Sequence, residues 1–232
     1  MSLDVATEIP LRALRLPDDV RYLAIEGVIG VGKSSLAGII SQRLSAELLE
    51  EPFTENPFLE KFYADREAWA FQTQLWFLLS RHRQLMETFA QEDLFRSLVI
   101  SDYTLDKDRI FALQNLSDNE MSMYDTVANA LQRDMVKPDY VVYLQGSVPT
   151  LLERIGKRDR AMERGIEGNY LRDLVDRYNH HFFHYEDTPV LIVNTDHIDF
   201  VHNEQDREDL LKAIEACPPG LTYYAPRSRS LG

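Results

Sequence analysis

One string limits this chain more than any other. Gly27-Val28-Ile29-Gly30-Val31-Gly32-Lys33-Ser34 follows the short apolar run Tyr22–Glu26 and precedes the apolar-periodic stretch Leu36–Leu44. It fits G-x-x-x-x-G-K-[ST] in the strand-loop-helix setting that this pattern needs. Glycines let the backbone wrap so that successive N–H groups and a helix N-terminus face one anion. The nine residues Gly27, Val28, Ile29, Gly30, Val31, Gly32, Lys33, Ser34 and Ser35 are therefore the expected phosphate cradle. Lys33 is expected to reach the β- and γ-phosphates, and the Ser34 hydroxyl to ligate Mg²⁺.

Further short apolar runs at Ala46–Glu50, Leu98–Ile100, Tyr140–Leu144 and Val190–Val193 read as strands. Helical stretches are expected over Trp69–Phe89, Ser122–Met135, Val148–Ile155 and Asn169–Tyr185. On the long one, the apolar spacing of Leu75, Leu78, Leu79, His82, Leu85, Met86 and Phe89 is helical. Short apolar strands alternating with longer helices predict a three-layer α/β fold, a central parallel sheet with helices on both faces. One domain is expected over 21–216, after a leader at 1–20 and before a loose Pro/Gly/Ser-rich tail at 217–232.

A formal net charge of -13 and a pI near 4.9 argue against a nucleic-acid surface or an anionic-membrane binder, which need positive charge over a broad face. Cys217 is the single cysteine, so no intrachain disulfide is possible and a reducing, cytoplasmic setting is expected. Neither an apolar signal region nor about 18 uninterrupted apolar residues occurs, which points away from export and membrane spanning.

A phosphate loop specifies a nucleotide and leaves the reaction open. No N-K-x-D string is present, as a GTPase switch would carry, and Leu98–Asp102 ends in Ser-Asp before Tyr rather than in the Asp-Glu of motor ATPases. A small-molecule kinase becomes the leading class. Such an enzyme needs a base at the acceptor, Mg²⁺, and cations for the transition-state charge. Glu51 and Asp102 end the second and third strands, where ligands bind in open α/β sheets. Glu153–Arg164 holds five of the chain's 25 basic residues, with Arg154 and Arg158 four apart on one helical face. This segment is expected to be a lid over ATP phosphates, bending at Gly156 and Gly165. Gln74 and Arg81, seven apart, share a helix face from which an amide and a guanidinium can read a nucleobase edge.

These residues resemble the deoxyribonucleoside kinase family over most of 22–200. The resemblance implies a P-loop nucleoside kinase fold with a helical lid, ATP and Mg²⁺ as cofactors, and a homodimer paired through helices. It implies that Glu51, before Pro52, takes the proton of the sugar 5′-hydroxyl, and that Tyr63, eleven residues before Gln74, contacts the 3′-hydroxyl. Gln74 would read the base with support from Arg81 and Asp108. The lid R-x-x-x-R-x-R-x-x-E is present as Arg154, Arg158, Arg160 and Glu163, the arginines holding ATP phosphates and Glu163 reaching the sugar. Two positions depart from the pattern. Tyr103 stands where most members place an arginine after the strand-end acid, although Asp102 keeps the acid that helps hold Mg²⁺. Thr73 stands where many have a base-stacking Phe, a place that Phe71 or Phe53 could fill. Asp102-Tyr103 together with Asn56-Pro57 is similar to the bacterial deoxyguanosine kinase branch and implies a purine deoxynucleoside as acceptor, in nucleotide salvage.

Two other readings stay open. A nucleoside-monophosphate kinase of the thymidylate kinase type shares fold and lid, but would carry Arg-Glu-Pro-Gly-Gly where this chain has Glu50-Glu51-Pro52-Phe53-Thr54. A catalytically silent ATP-binding regulatory module is favoured only by Tyr103.

Overall fold

The computed structural model describes residues 14–90, 97–131 and 136–224. Its frame is a six-stranded, wholly parallel sheet in the order β2-β3-β1-β4-β5-β6. The strands are β1 (Tyr22–Gly27), β2 (Glu47–Leu49), β3 (Val99–Ser101), β4 (Tyr140–Gln145), β5 (Val190–Asn194) and β6 (Leu221–Tyr224). Helices α1 (Lys33–Leu44), α2 (Leu59–Ala64), α3 (Arg66–Phe89), α4 (Asp106–Asn115), α5 (Asp118–Leu131), α6 (Val148–Arg158), α7 (Gly168–Phe183) and α8 (Glu204–Glu215) connect them.

All six residues of β1 are buried, because this central strand is covered on both faces. Its side chains alternate. Leu23 and Ile25 join the main core, while Tyr22 and Ala24 pack with Leu85 of α3 and Tyr103. On α7 the buried Leu171, Leu174, Tyr178 and Phe182 recur at helical spacing, and the Phe182 ring stacks 4.5 Å from Tyr143 of β4. Asp65 caps α3 by accepting the Ala68 N–H at 3.2 Å, and Asn203 caps α8 through the Asp206 N–H at 3.1 Å.

The sheet order reverses at β1, whose neighbours are β3 and β4, so the crevice at the strand C-termini opens there. Gly27 ends β1 with φ +146°, and a Cβ on it would lie 2.4 Å from the Leu144 carbonyl oxygen. Gly32 starts α1 at φ 107° in left-handed backbone. Both positions demand glycine, which is why the phosphate loop can lie tightly between β1 and α1.

Several expectations are corrected. The tail is not loose throughout: Leu221–Tyr224 forms β6, whose half-exposed edge position needs no apolar run. Gly220, at φ +65°, makes the turn into it, and its carbonyl accepts the Val190 N–H at 2.9 Å. Residues 225–232 lie outside the described residues. At the other end, Leu14 and Val20 are buried in the main core, so the last third of the expected leader belongs to the domain; residues 1–13 lie outside the description. Helices α2, α4 and α8 were not read from the sequence, and the end of the stretch expected at Ser122–Met135 falls beyond the described residues after Leu131. Among the described residues, no helix is long and apolar enough to cross a membrane.

Candidate active site

The ends of β1, β2 and β3 meet at Asp102. Its Oδ2 accepts the Ser34 hydroxyl at 2.5 Å, and its Oδ1 accepts the Glu51 N–H at 2.8 Å. One carboxylate thus joins the phosphate-loop helix to the strand end that carries Glu51. Ser34 and Asp102 offer hard oxygen donors side by side, a set that fits Mg²⁺, an ion that takes one or two protein ligands and leaves the rest to phosphates and water.

A second acid supports the loop from beneath. Glu26 is fully buried and accepts the Gly27 N–H at 2.7 Å and the Thr104 N–H at 2.9 Å. Burial pushes its carboxyl up, against the pull of Lys107 and Lys33. The sequence reading passed over Glu26 because it sits inside an apolar strand run; an acid in a fully buried strand just before a glycine loop was the available signal.

Lys33 donates to the Val28 carbonyl at 3.3 Å. Burial first, and then repulsion from Lys107, push its pKa down to about 8, despite Glu26, Glu51 and Asp102. A triphosphate held against Lys33 should restore the charge, so that ATP binding above about pH 8 is expected to take up a proton. Affinity for ATP should therefore fall as pH rises through 8 to 10, by at most about tenfold per pH unit for one proton. Calorimetry in buffers of different ionisation enthalpy measures that uptake directly, and a Lys33→Met variant should show none.

Glu51 lies between two cations. Its Oε1 pairs with Arg81, and its Oε2 with Lys107 at 2.5 Å. Burial works against this carboxylate, but Arg81 and Lys107 outweigh it and hold Glu51 well below the usual carboxylate range. Arg81 is itself sandwiched, pairing with Asp108 of α4 behind it. For Asp108 burial dominates and pushes its carboxyl up, although Arg81 opposes this. Lys107, buried in the first turn of α4, is a site residue that the sequence reading missed. Its signal was a lysine beside Asp108, six residues past the third strand.

The cavity expected for the acceptor has a volume of about 90 Å³ and includes Glu51, Tyr63, Gln74, Arg81, Arg158 and Glu163 in its wall. That is well below the roughly 300 Å³ at which small-molecule sites begin, so a ligand must open it. Three residues of the segment expected as a lid, Arg158, Arg160 and Glu163, line it. Arg158 pairs with Glu163 at 2.5 Å, Arg160 reaches the same carboxylate at 3.4 Å, and the Arg160 guanidinium sits 4.1 Å from the Phe53 ring centroid. Gly156 is not a bend, because α6 runs through it to Arg158; the chain turns at Asp159 in left-handed backbone.

Phe53 lines the acceptor cavity, whereas Phe71 packs with Leu78, Ala112 and Tyr124 elsewhere. Thr73 also lines the cavity, and its Oγ1 is buried with no hydrogen-bond partner among the described residues. Buried hydroxyls are normally satisfied, so this one is available to a ligand. On α3 the expected apolar stripe holds at Leu78 and Leu85, which are buried, but not at Leu79, which is 46% exposed; Thr73, Gln74 and Arg81 are buried as well.

Arg154 stands apart from this cavity. It donates to the Val31 carbonyl at 3.2 Å, to Thr195 Oγ1 at 2.8 Å and to the Thr195 carbonyl at 2.8 Å. It borders a second, larger cleft of about 810 Å³, shared by Gly30, Gly32, Ser34, Arg158 and Phe200. That volume suits a nucleotide. The two spaces meet at Lys33, Ser34 and Arg158, so a phosphate chain in the larger cleft ends at the smaller cavity.

Comparison with known proteins agrees with this arrangement. Residues 23–217 match the family model described as deoxynucleoside kinase. Deoxyguanosine kinase of Bacillus subtilis (strain 168) is 37% identical over 198 residues, covering 84% of this chain and 96% of that protein. Deoxyadenosine/deoxycytidine kinase of the same organism is 30% identical, covering 83% and 90%. The solved structure of deoxyadenosine kinase from M. mycoides with bound dCTP superposes with a TM-score of 0.71 at 28% identity, covering 84% and 99%. With the family model matching residues 23–217, relatives aligned over most of their length and a shared overall fold, the chain belongs to the deoxynucleoside kinase family.

Proposed function

We propose that this kinase transfers the γ-phosphoryl group of ATP to the 5′-hydroxyl of a purine deoxyribonucleoside, deoxyguanosine or deoxyadenosine, in nucleotide salvage. The observation that carries the reading is Glu51. It is a carboxylate kept ionised by two cations, at the wall of a small cavity that abuts the phosphate loop.

In this reading Glu51 accepts the proton of the 5′-hydroxyl. The hydroxyl oxygen forms its bond to the γ-phosphorus as the bond from that phosphorus to the β–γ bridging oxygen breaks, and ADP leaves. Backbone N–H groups of residues 27–35 and Lys33 hold the phosphates. Ser34 and Asp102 would hold Mg²⁺, which neutralises phosphate charge when bound. Arg158 and Arg160, released from Glu163, turn to the phosphates, and Glu163 is then free to meet the sugar. Tyr63 takes the 3′-hydroxyl; Gln74, in the same cavity wall as Arg81, reads the base. Arg154 joins the phosphate loop to the segment after β5 and shapes the ATP cleft.

Support for a purine comes from Thr73. A small side chain in place of a stacking Phe leaves room beside Gln74, and its unpaired hydroxyl offers one more polar contact to the base. Mg-ATP with each of the four deoxynucleosides tests this, with the expectation that kcat/KM for the better purine exceeds both pyrimidines by about tenfold or more, the worth of one or two buried contacts. Equal or greater activity on deoxycytidine or thymidine contradicts it. The reading extends to a homodimer acting in the cytoplasm.

A further inference from the structure

We propose that Lys107 is the mobile cation of the transfer step: it covers Oε2 of Glu51 until the acceptor hydroxyl displaces it, then stands at the oxygen that receives the phosphoryl group. The inference rests on Glu51 being the base.

Both oxygens of Glu51 are occupied in this structure, one by Arg81 and one by Lys107. A base needs one of them free. Arg81 is poorly placed to yield, since its planar fork is also paired with Asp108, is 2% exposed, and lies 4.6 Å from the Phe77 ring centroid. Lys107 holds Oε2 through a single rotatable ammonium on a four-carbon stem, 5.8 Å from the Phe111 ring centroid, so its release breaks one ion pair and leaves the fork intact. It also stands in the right neighbourhood, close enough to Lys33 and Glu26 to interact with both beneath the phosphate loop.

The other cations are committed elsewhere. Tyr103 is fully buried and turned towards α3, where its hydroxyl donates to Gln84 Oε1 at 2.7 Å and Gln84 in turn donates to the Glu50 carbonyl at 3.1 Å. No charge reaches the acceptor from that position. Arg158 and Arg160 also line this cavity, but both are paired with Glu163. Lys107 is thus the cation that α4 delivers to the acceptor side, four residues further along the chain than Tyr103. During transfer it keeps all three protons. The hydroxyl proton passes to Glu51, and the ammonium follows the negative charge that grows on the acceptor oxygen.

Lys107→Gln should lower kcat about 100-fold, the scale of one preorganised donor at a developing charge, with KM for the deoxynucleoside changed less than about threefold. Lys107→Arg should recover at least about tenfold of that loss, because charge rather than shape is what is needed. Lys107→Met serves as the second uncharged variant should the Gln form be unstable, and the melting temperature of each is measured alongside. A crystal structure with deoxyguanosine and a non-hydrolysable ATP analogue should show Nζ detached from Oε2. Turnover within twofold of wild type in Lys107→Gln, a loss confined to KM, an arginine variant no better than the glutamine one, or an unbroken Lys107–Glu51 contact in that complex each overturns the proposal. Full turnover in Glu51→Gln overturns the base reading as well, which separates the two failures.

Discussion

Glu51→Gln is expected to lower kcat by about 10²–10⁴-fold while KM for the deoxynucleoside stays within a few-fold of wild type. Glutamine keeps the shape and still accepts from Arg81 or Lys107 through its carbonyl oxygen, but it cannot take a proton. The effect should fall on the chemical step because Glu51 contributes charge and basicity more than contact area. Steady-state kinetics with deoxyguanosine, backed by single-turnover quench measurements, separate the two parameters. A variant that loses KM and retains kcat would assign Glu51 to binding.

The second large effect is on stability. Arg81→Leu leaves Glu51 and Asp108 facing each other in the interior with their shared counter-charge gone. Removing one partner of a buried ion pair costs about 3–5 kcal/mol, because the remaining charge has lost its compensation. In a domain of this size that lowers the melting temperature by on the order of 10 °C. Here Lys107 can still serve Glu51, so the larger part of the cost belongs to Asp108. Adding Asp108→Leu removes the stranded carboxylate and should restore much of the lost stability without restoring activity. Differential scanning calorimetry of the two variants measures it. An Arg81→Leu protein that melts with wild type would mean that the Glu51–Arg81–Asp108 row contributes little to the fold.

What the sequence made legible was what lies contiguous in the chain. The phosphate loop is one string between a strand and a helix, and Glu51-Pro52 and the lid arginines are equally local patterns. Their neighbours in space were harder to see. Lys107 is a lone lysine in a polar helix whose meaning comes from a strand end 56 residues earlier. Glu26 hides in an apolar run because burial, not exposure, is its working state. On α3 the apolar spacing found the buried Leu78 and Leu85, and the seven-residue spacing found Gln74 and Arg81; of that apolar stripe, Leu79 alone is exposed. β6 went unread for the opposite reason: it is a four-residue edge strand with no buried residue, set directly after Pro218, Pro219 and Gly220, which read as a loop.

The charge of -13 acquires a local counterpart in the same way. Lys33, Arg81, Lys107, Arg158 and Arg160 all line the smaller cavity, while acidic residues dominate the chain as a whole. An overall acidic protein can hold a polyanion when backbone N–H groups and a few buried cations set the potential at one point.

The most direct measurement compares deoxyguanosine with deoxyguanylate as acceptor, using Mg-ATP and purified protein, with products resolved by chromatography. The acceptor cavity carries Glu51 at its wall and Glu50 next to it in sequence, without the arginine and glycine pair that a substrate phosphate would need. The account predicts formation of 5′-deoxyguanylate and ADP from deoxyguanosine, and no diphosphate from deoxyguanylate. Phosphorylation of deoxyguanylate, or ATP binding with no transfer to any deoxynucleoside, would contradict it.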